Sequence, residues 1–386
     1  MGQKGMTVSS RPLQQFVEQV AASRNAGSKA VRDVTTILTR MGFDRIDIFR
    51  WTSTKPLAAF FGRLSWVAHC PFWRRQIKQN ACLVVQFTVS CFHGRLTFRL
   101  IDEDFKRRRN LQLIAVVHDL NRSDPMNDVI TPVERRFFAL CDKVIVHNDK
   151  MRDFLVRHGV ESEKLVCLHA FDYLIDGAVP EARKDDPHTI AIAGNLCADK
   201  CGYLKALADV ANVRWRLFGA SVDESILADN VRYCGGFEPD HPPMELAGGF
   251  GLVWDGESGE TCRGMFGEYL RVNNPHKMSL YLAVGVPVVV WRQAAVASFV
   301  TQSGVGLVVD SLDELTGRLR ELTDADYARL CSAAKRIAAK LRSGGFMRAA
   351  VKTCLESLNQ TLTVESDDPT NRCFADSGCS CGTKRQ

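Results

Sequence analysis

The chain has 386 residues, more than one ordinary hydrophobic core serves, so two domains are the default. Apolar residues are 46% of it, enough for a substantial core, and a formal charge of +6 without a basic-aromatic block argues against a nucleic-acid groove. No stretch has the length of a spanning helix and residues 1–30 lack the apolar core of a secretory signal, so the fourteen scattered cysteines read as reduced thiols in the cytoplasm.

Phe16–Ala22 opens the chain as a strand. Ser28–Met41 follows as a helix, with Val31, Val34, Ile37 and Leu38 on one face and Gly42 as its stop. Arg45–Phe49 is a short alternating strand. From 51 to 78, Trp51, Phe60, Phe61, Trp66, Phe72 and Trp73 lie among Arg63, Arg74, Arg75 and Lys78. Such a helix either rests on a membrane surface or packs on the sheet with its basic face in water. Ala81–Phe87 and Leu111–Leu120 are buried strands. Val133–Cys141 is a helix, Lys143–His147 a strand, Lys150–His158 a helix closed by Gly159, and Leu165–Leu168 a strand.

Residues 180–187, PEARKDDP, are polar and carry two prolines, so they divide a domain at 1–179 from one at 188–360. Strands resume at Thr189–Ala193, Val213–Phe218, Val231–Tyr233, Phe250–Trp254, Val286–Trp291 and Val305–Val309. Ala325–Leu341 and Phe346–Leu358 are closing helices, and 361–386 is Ser-, Asp- and Cys-rich, which predicts disorder. Alternation of strand and helix on both sides of the linker predicts α/β domains with parallel sheets. Their strand ends and helix N-termini would face each other across a cleft suited to a phosphorylated donor and an acceptor.

Several polar groups fall where strands end. Ser28, in Asn25-Ala-Gly-Ser-Lys-Ala30, either caps the first helix or stands beside a ligand. His118 and Asp119 close LIAVVHD, where either side chain could take a proton from an acceptor hydroxyl, or Asp119 could simply cap a turn. His147-Asn148 closes KVIVHN, where Asn148 or Asp149 caps the next helix. Gly194-Asn195, with Lys200 following, can hold a diphosphate. Tyr233 stands beside two glycines and offers a ring either to a nucleobase or to the interdomain core. Trp254-Asp255-Gly256 ends another strand. Beyond it lie Glu268 and Tyr269, within reach of a ribose or sugar hydroxyl. Asn273-Asn274-Pro275-His276-Lys277 then starts a helix that contains Ser279, and its free N–H groups and lysine make an anion site. Cys82, Cys141 and Cys167 sit in apolar runs. Cys197 with Cys201, and the trio Cys373, Cys379 and Cys381, lack a matched second pair at zinc spacing, so no metal site is expected.

NAGSKAVRDVTTIL, VVHD, VIVHN, AGNL, GLVWDG and EYLRVNNPHKMSLYLAVGVPVVVW occur in this order, and through them residues 16–358 resemble a bacterial glycosyltransferase family. It is the galactofuranosyltransferase-like group that includes a glucosyltransferase glycosylating serine-rich adhesins. The resemblance implies a GT-B fold, two Rossmann-like domains with the acceptor mostly on the first and a UDP-sugar mostly on the second. It implies a hexosyltransferase that needs no metal or other cofactor, with Lys200 and Lys277 on the diphosphate, Ser28 looking over the donor, and Asp119 or His118 as base. The acceptor would be a glycan on lipid or protein, the setting the cytoplasm or the inner face of the membrane, and self-association is a further expectation. A non-catalytic nucleotide-sugar-binding partner of another transferase is the alternative.

Overall fold

The computed structural model describes residues 11–19, 26–49, 55–87, 98–120, 129–179 and 186–359. Most of the expected linker and the whole expected tail from 361 lie outside the described residues. So does Asn25.

The first domain runs β1 (Leu13–Gln19), α1 (Ala26–Arg40), β2 (Asp44–Phe49), α2 (Pro56–Gln76), β3 (Cys82–Phe87), α3 (Glu103–Arg109), β4 (Gln112–Val117), α4 (Pro132–Leu140), β5 (Lys143–Val146), α5 (Asp149–Arg157) and β6 (Leu165–Cys167). Its sheet is parallel, in the order β2-β1-β3-β4-β5-β6. The second domain holds β7 (Thr189–Asn195), β8 (Arg214–Ala220), β9 (Val231–Tyr233), β10 (Phe250–Val253), α6 (Gly264–Tyr269), α7 (His276–Ala283), β11 (Val288–Trp291), α8 (Ala297–Ser303), β12 (Gly306–Val309), α9 (Leu312–Glu321), α10 (Asp324–Arg342) and α11 (Gly345–Ser357). Its parallel sheet is ordered β12-β11-β10-β7-β8-β9. Strand order therefore reverses between β1 and β3 and between β7 and β10. At such switch points the connecting chains leave in opposite directions and open a crevice at the carboxyl ends.

The first strand begins three residues before the expected Phe16. Gln14 and Gln15 hide it, because two polar side chains break the apolar pattern although both are buried. Their amides are engaged: Gln14 Nε2 donates to Gln76 O at 3.1 Å, and Gln15 Nε2 donates to Thr35 O at 3.2 Å and Thr39 Oγ1 at 3.0 Å. Short helices such as α3, α6 and α8, six or seven residues each, carry too few turns for a periodic signal.

The strands of the first sheet are apolar on both faces, as a doubly covered parallel sheet requires. Leu83, Val85, Leu113 and Ala115 face one core with Trp73, Ile77, Phe137 and Phe154 from the helices. Val84, Ile114 and Val116 face the other, which is continuous with the second domain through α1 and α11. Helix α11 belongs by sequence to the second half but packs against α1, β5 and β6. Asp172 fixes its start by accepting from Phe346 N at 3.1 Å and Met347 N at 2.6 Å.

Candidate active site

A cavity of about 890 Å³ lies where the carboxyl ends of the two sheets meet. That is within the usual size of a small-molecule site. Of the residues expected at a site, His118, Asp119, Gly194, Asn195, Lys200, Tyr233, Asp255, Asn273, Asn274, His276 and Lys277 line it. Ser28, Glu268 and Ser279 are not among its lining residues. Ser28 is no cap, because α1 starts two residues before it, and its side chain is buried inside the first turn. Glu268 turns to Arg271, whose Nε donates to Oε2 at 2.6 Å. Ser279 is buried on α7.

One wall carries the charge. Lys277 Nζ donates to Trp254 O at 3.0 Å and Asp255 Oδ1 at 2.8 Å, and Lys200 Nζ lies 3.9 Å from Asp255 Oδ2. Burial pushes the Lys277 ammonium down, but Asp255 outweighs it and holds the lysine above its ordinary range, firmly charged. Two lysines share one carboxylate, so the cluster keeps a net positive charge. Lys277 is the anchored member and Lys200 the freer one. The loops carrying Lys200 and Asp255 are sewn together: Gly256 N donates to Lys200 O at 2.7 Å, and Tyr203 N to Gly256 O at 3.3 Å. Gly256 has φ +115°, and a Cβ there would stand 2.2 Å from Arg263 O, so the turn after β10 requires glycine.

Next to this wall the ends of β7 and β8 meet at Gly194 and Gly219. A Cβ on Gly219 would fall 1.7 Å from Gly194 O. This closeness leaves open backbone flanked by Phe218, Tyr233 and Phe237, all on the cavity. Tyr233 Oη donates to Gly219 O at 2.7 Å, which holds the ring at the strand end. Gly219 and Ser221 were not singled out from sequence, although the strand-end rule that found Asn195 applies equally to RWRLFGAS. Phe171 and Tyr173, on the chain after β6, also line the cavity and carry no sequence motif.

The opposite wall holds His118 and Asp119, and their chemistry differs. His118 Nε2 lies 2.8 Å from Gln86 Oε1. Gln86 Nε2 donates to Thr35 Oγ1 at 2.9 Å, and Thr35 Oγ1 donates to Val31 O at 2.9 Å. This chain leaves Gln86 Oε1 as acceptor, so the imidazole proton sits on Nε2. Burial, followed by the neighbouring His147 and His276, lowers His118 to about 3. Asp119 faces the cavity opening, and the enclosing protein pushes its carboxyl up to about 6 against the opposing pull of Tyr269 and Lys200. Tyr269 Oη donates to Asp119 Oδ1 at 3.1 Å and accepts from Leu120 N at 3.3 Å. Tyr269 thus reaches across the cleft to the carboxylate, where a ribose or sugar contact was expected.

The NNPHK segment has a second role that sequence did not show. Asn274 N donates to His147 Nδ1 at 3.0 Å, and Asn274 Nδ2 donates to His147 O at 2.7 Å and His169 O at 3.0 Å. Asn148 caps α5 through Met151 N at 2.9 Å, as expected, and its Nδ2 donates to Asn274 Oδ1 at 2.7 Å and Val272 O at 3.0 Å. The side chain of Asn274 is therefore consumed in clasping the two domains. His276 lies between the rings of Phe171 and Tyr173 at 5.7 and 5.3 Å, and burial lowers it to about 3. A second clasp joins α1 to the loop after β9. Lys29 Nζ reaches Asp33 Oδ1 at 2.6 Å, Asp240 Oδ1 at 2.7 Å and Leu174 O at 2.6 Å.

Two Rossmann-like sheets meeting at their carboxyl edges around one such cavity are the architecture of GT-B glycosyltransferases. Residues 15–170 match the model of the Glucosyltransferase 3-like N-terminal domain, and 190–354 that of the Glucosyltransferase 3-like C-terminal domain. The chain belongs to this family and is a glycosyltransferase of the hexosyl-transferring kind. It is 32% identical over 259 residues to the β-1,6-galactofuranosyltransferase WbbI of Escherichia coli K12, covering 66% of this chain and 74% of that one. It is 27% identical over 260 residues to Glucosyltransferase 3 of Streptococcus gordonii, covering 65% and 72%. The fold is shared with Anabaena HepE, solved with UDP and glucose, at 12% identity and a TM-score of 0.54 over 88% of this chain and 99% of that one.

Proposed function

We propose that the chain moves a galactofuranosyl or glucosyl unit from a UDP-sugar to a hydroxyl of a glycan acceptor carried on lipid or protein. The observation that carries this is the pairing of walls: Lys200, Lys277 and Asp255 on the second domain face Asp119 on the first across one cavity. The names of the relatives support the sugar classes, and the UDP held by HepE supports the nucleotide. The base would lie against Tyr233, Phe218 and Phe237, and the diphosphate against Lys200 and the strand end at Gly194 and Asn195.

In a direct displacement the acceptor oxygen bonds to the anomeric carbon as the bond to the diphosphate oxygen breaks. The bonding pair leaves with UDP, where the net positive charge of the Lys200, Lys277 and Asp255 cluster offsets it, and no bound cation is required in this reading. The acceptor proton passes to Asp119. A carboxylate near 6 is matched to neutral pH, whereas an imidazole near 3 holds a proton too weakly to serve. The cytoplasmic side is the proposed setting, supported by the described cysteines, all of which are free thiols.

Thermal shift against a panel of UDP-sugars, followed by turnover assays, tests the reading. UDP and the true donor should raise the melting temperature, and Lys200→Ala should weaken binding by about tenfold or more. An unchanged shift in that variant would sink the diphosphate assignment. UDP binding without turnover on any acceptor would favour the non-catalytic alternative.

A further inference from the structure

Helix α2 leaves an apolar stripe uncovered. Leu57 is 75% exposed, Phe60 60%, Phe61 61%, Leu64 56% and Phe72 58%. At helical spacing these five fall on one side. The opposite side is fixed in the core: Trp73, Cys70 and Ile77 are buried, and Trp66 packs on Trp73 with ring centroids 5.5 Å apart. Of the aromatic residues in the 51–78 stretch, Trp66 and Trp73 therefore serve the fold and the phenylalanines are left outside, while Trp51 lies outside the described residues.

The charge of the helix chooses the occupant. Pro56–Gln76 contains no Asp or Glu but has Arg63, Arg74 and Arg75. Arg63 and Arg75 are exposed, while Arg74 turns aside to Asp102 at 2.6 Å. A second copy of this face would set arginine against arginine in a two-fold contact, which like charges oppose. An anionic lipid surface complements both features, taking the rings into the acyl boundary and the guanidiniums at the headgroups. No helix among the described residues is long and apolar enough to cross a membrane, so α2 would lie on the surface. The position fits as well. In a parallel sheet each crossover helix starts at the carboxyl edge, so Leu57, Phe60 and Phe61 stand on the edge that also carries His118 and Asp119.

We propose that α2 docks the protein on an anionic bilayer through Leu57, Phe60, Phe61, Leu64 and Phe72, with the mouth of the cleft beside the lipid surface. A sugar acceptor displayed on that surface would then reach Asp119 without leaving it. Only this last consequence rests on the glycosyltransferase reading; the docking stands without it.

Flotation with phosphatidylglycerol/phosphatidylethanolamine vesicles, against pure phosphatidylcholine, reads the docking directly. The wild-type chain should float with the anionic vesicles and be released by salt. Phe60→Ser/Phe61→Ser should lower the partition coefficient by about tenfold or more, and Arg63→Glu/Arg75→Glu by several-fold, with the UDP thermal shift intact in both. Absence of wild-type binding to anionic vesicles overturns the proposal, as does full binding by both variants. A wild-type dimer that ignores vesicles and falls to a monomer in the serine variant also overturns it, and assigns the stripe to a second copy. Loss of UDP-sugar turnover with vesicle binding retained would instead count against the enzymatic reading alone.

Discussion

Asp119 is exposed at the cavity mouth, yet the protein packed around its carboxyl takes away enough solvent to push it up to about 6, with the hydrogen bond from Tyr269 and the charge of Lys200 pulling it down. A base must be ionised to act, so kcat/KM should fall as pH drops through about 6, with rate measured from pH 5 to 8. Asp119→Asn should lower kcat by about 100- to 10,000-fold while leaving the UDP thermal shift unchanged. Tyr269→Phe removes a donor that favours the ionised form, so the acid limb of the pH–rate profile should move to higher pH. An unmoved limb would mean that the hydroxyl does not set the carboxylate. Because Tyr269 belongs to α6 of the second domain, this contact makes the base depend on the closeness of the two domains.

Among elements, the turn before α7 joins the halves through one side chain. Asn274 donates two side-chain hydrogen bonds and accepts one, all to residues of the first domain. At roughly 1 kcal/mol net per bond, Asn274→Ala should cost about 3 kcal/mol in urea unfolding. It should also loosen donor binding, because Lys277 follows three residues later in the first turn of α7. A sequence read by spacing saw the proline and two asparagines as a helix start for an anion. The structure keeps the helix start and gives the amide to the domain joint, a partner 126 positions away that no local pattern encodes.

At the scale of the molecule, the core does not stop at the linker. Helix α11 returns to the first sheet and is held by Asp172, whose carboxyl burial raises from 3.8 to about 7 despite two N–H donors. The folded state therefore binds a proton between those values that the unfolded chain releases. Stability relative to Asp172→Asn should fall as pH rises from about 4 to 7 and level off above, in urea titrations at several pH values. No slope difference would show that the carboxylate stays ionised on its two N–H groups.

Strand periodicity and the order of the strand-end motifs were legible in the chain. They are local, and they were enough for two parallel α/β domains and for eleven of the expected cavity residues, while the GT-B family came from the resemblance of the motifs to known glycosyltransferases. The sequence also named His118 and Asp119 together without separating them. What separates them is enclosure, which leaves one neutral on Gln86 and the other poised at the cavity mouth. Lys277 was visible as a charge, yet only folding brought Asp255 to neutralise it and left Lys200 the freer cation. The stripe on α2 was likewise visible as aromatic and basic, but which rings face outward depends on which side the sheet buries. Local pattern fixes elements and chemistry; desolvation and pairing between distant residues, which only the tertiary structure decides, fix what each group does.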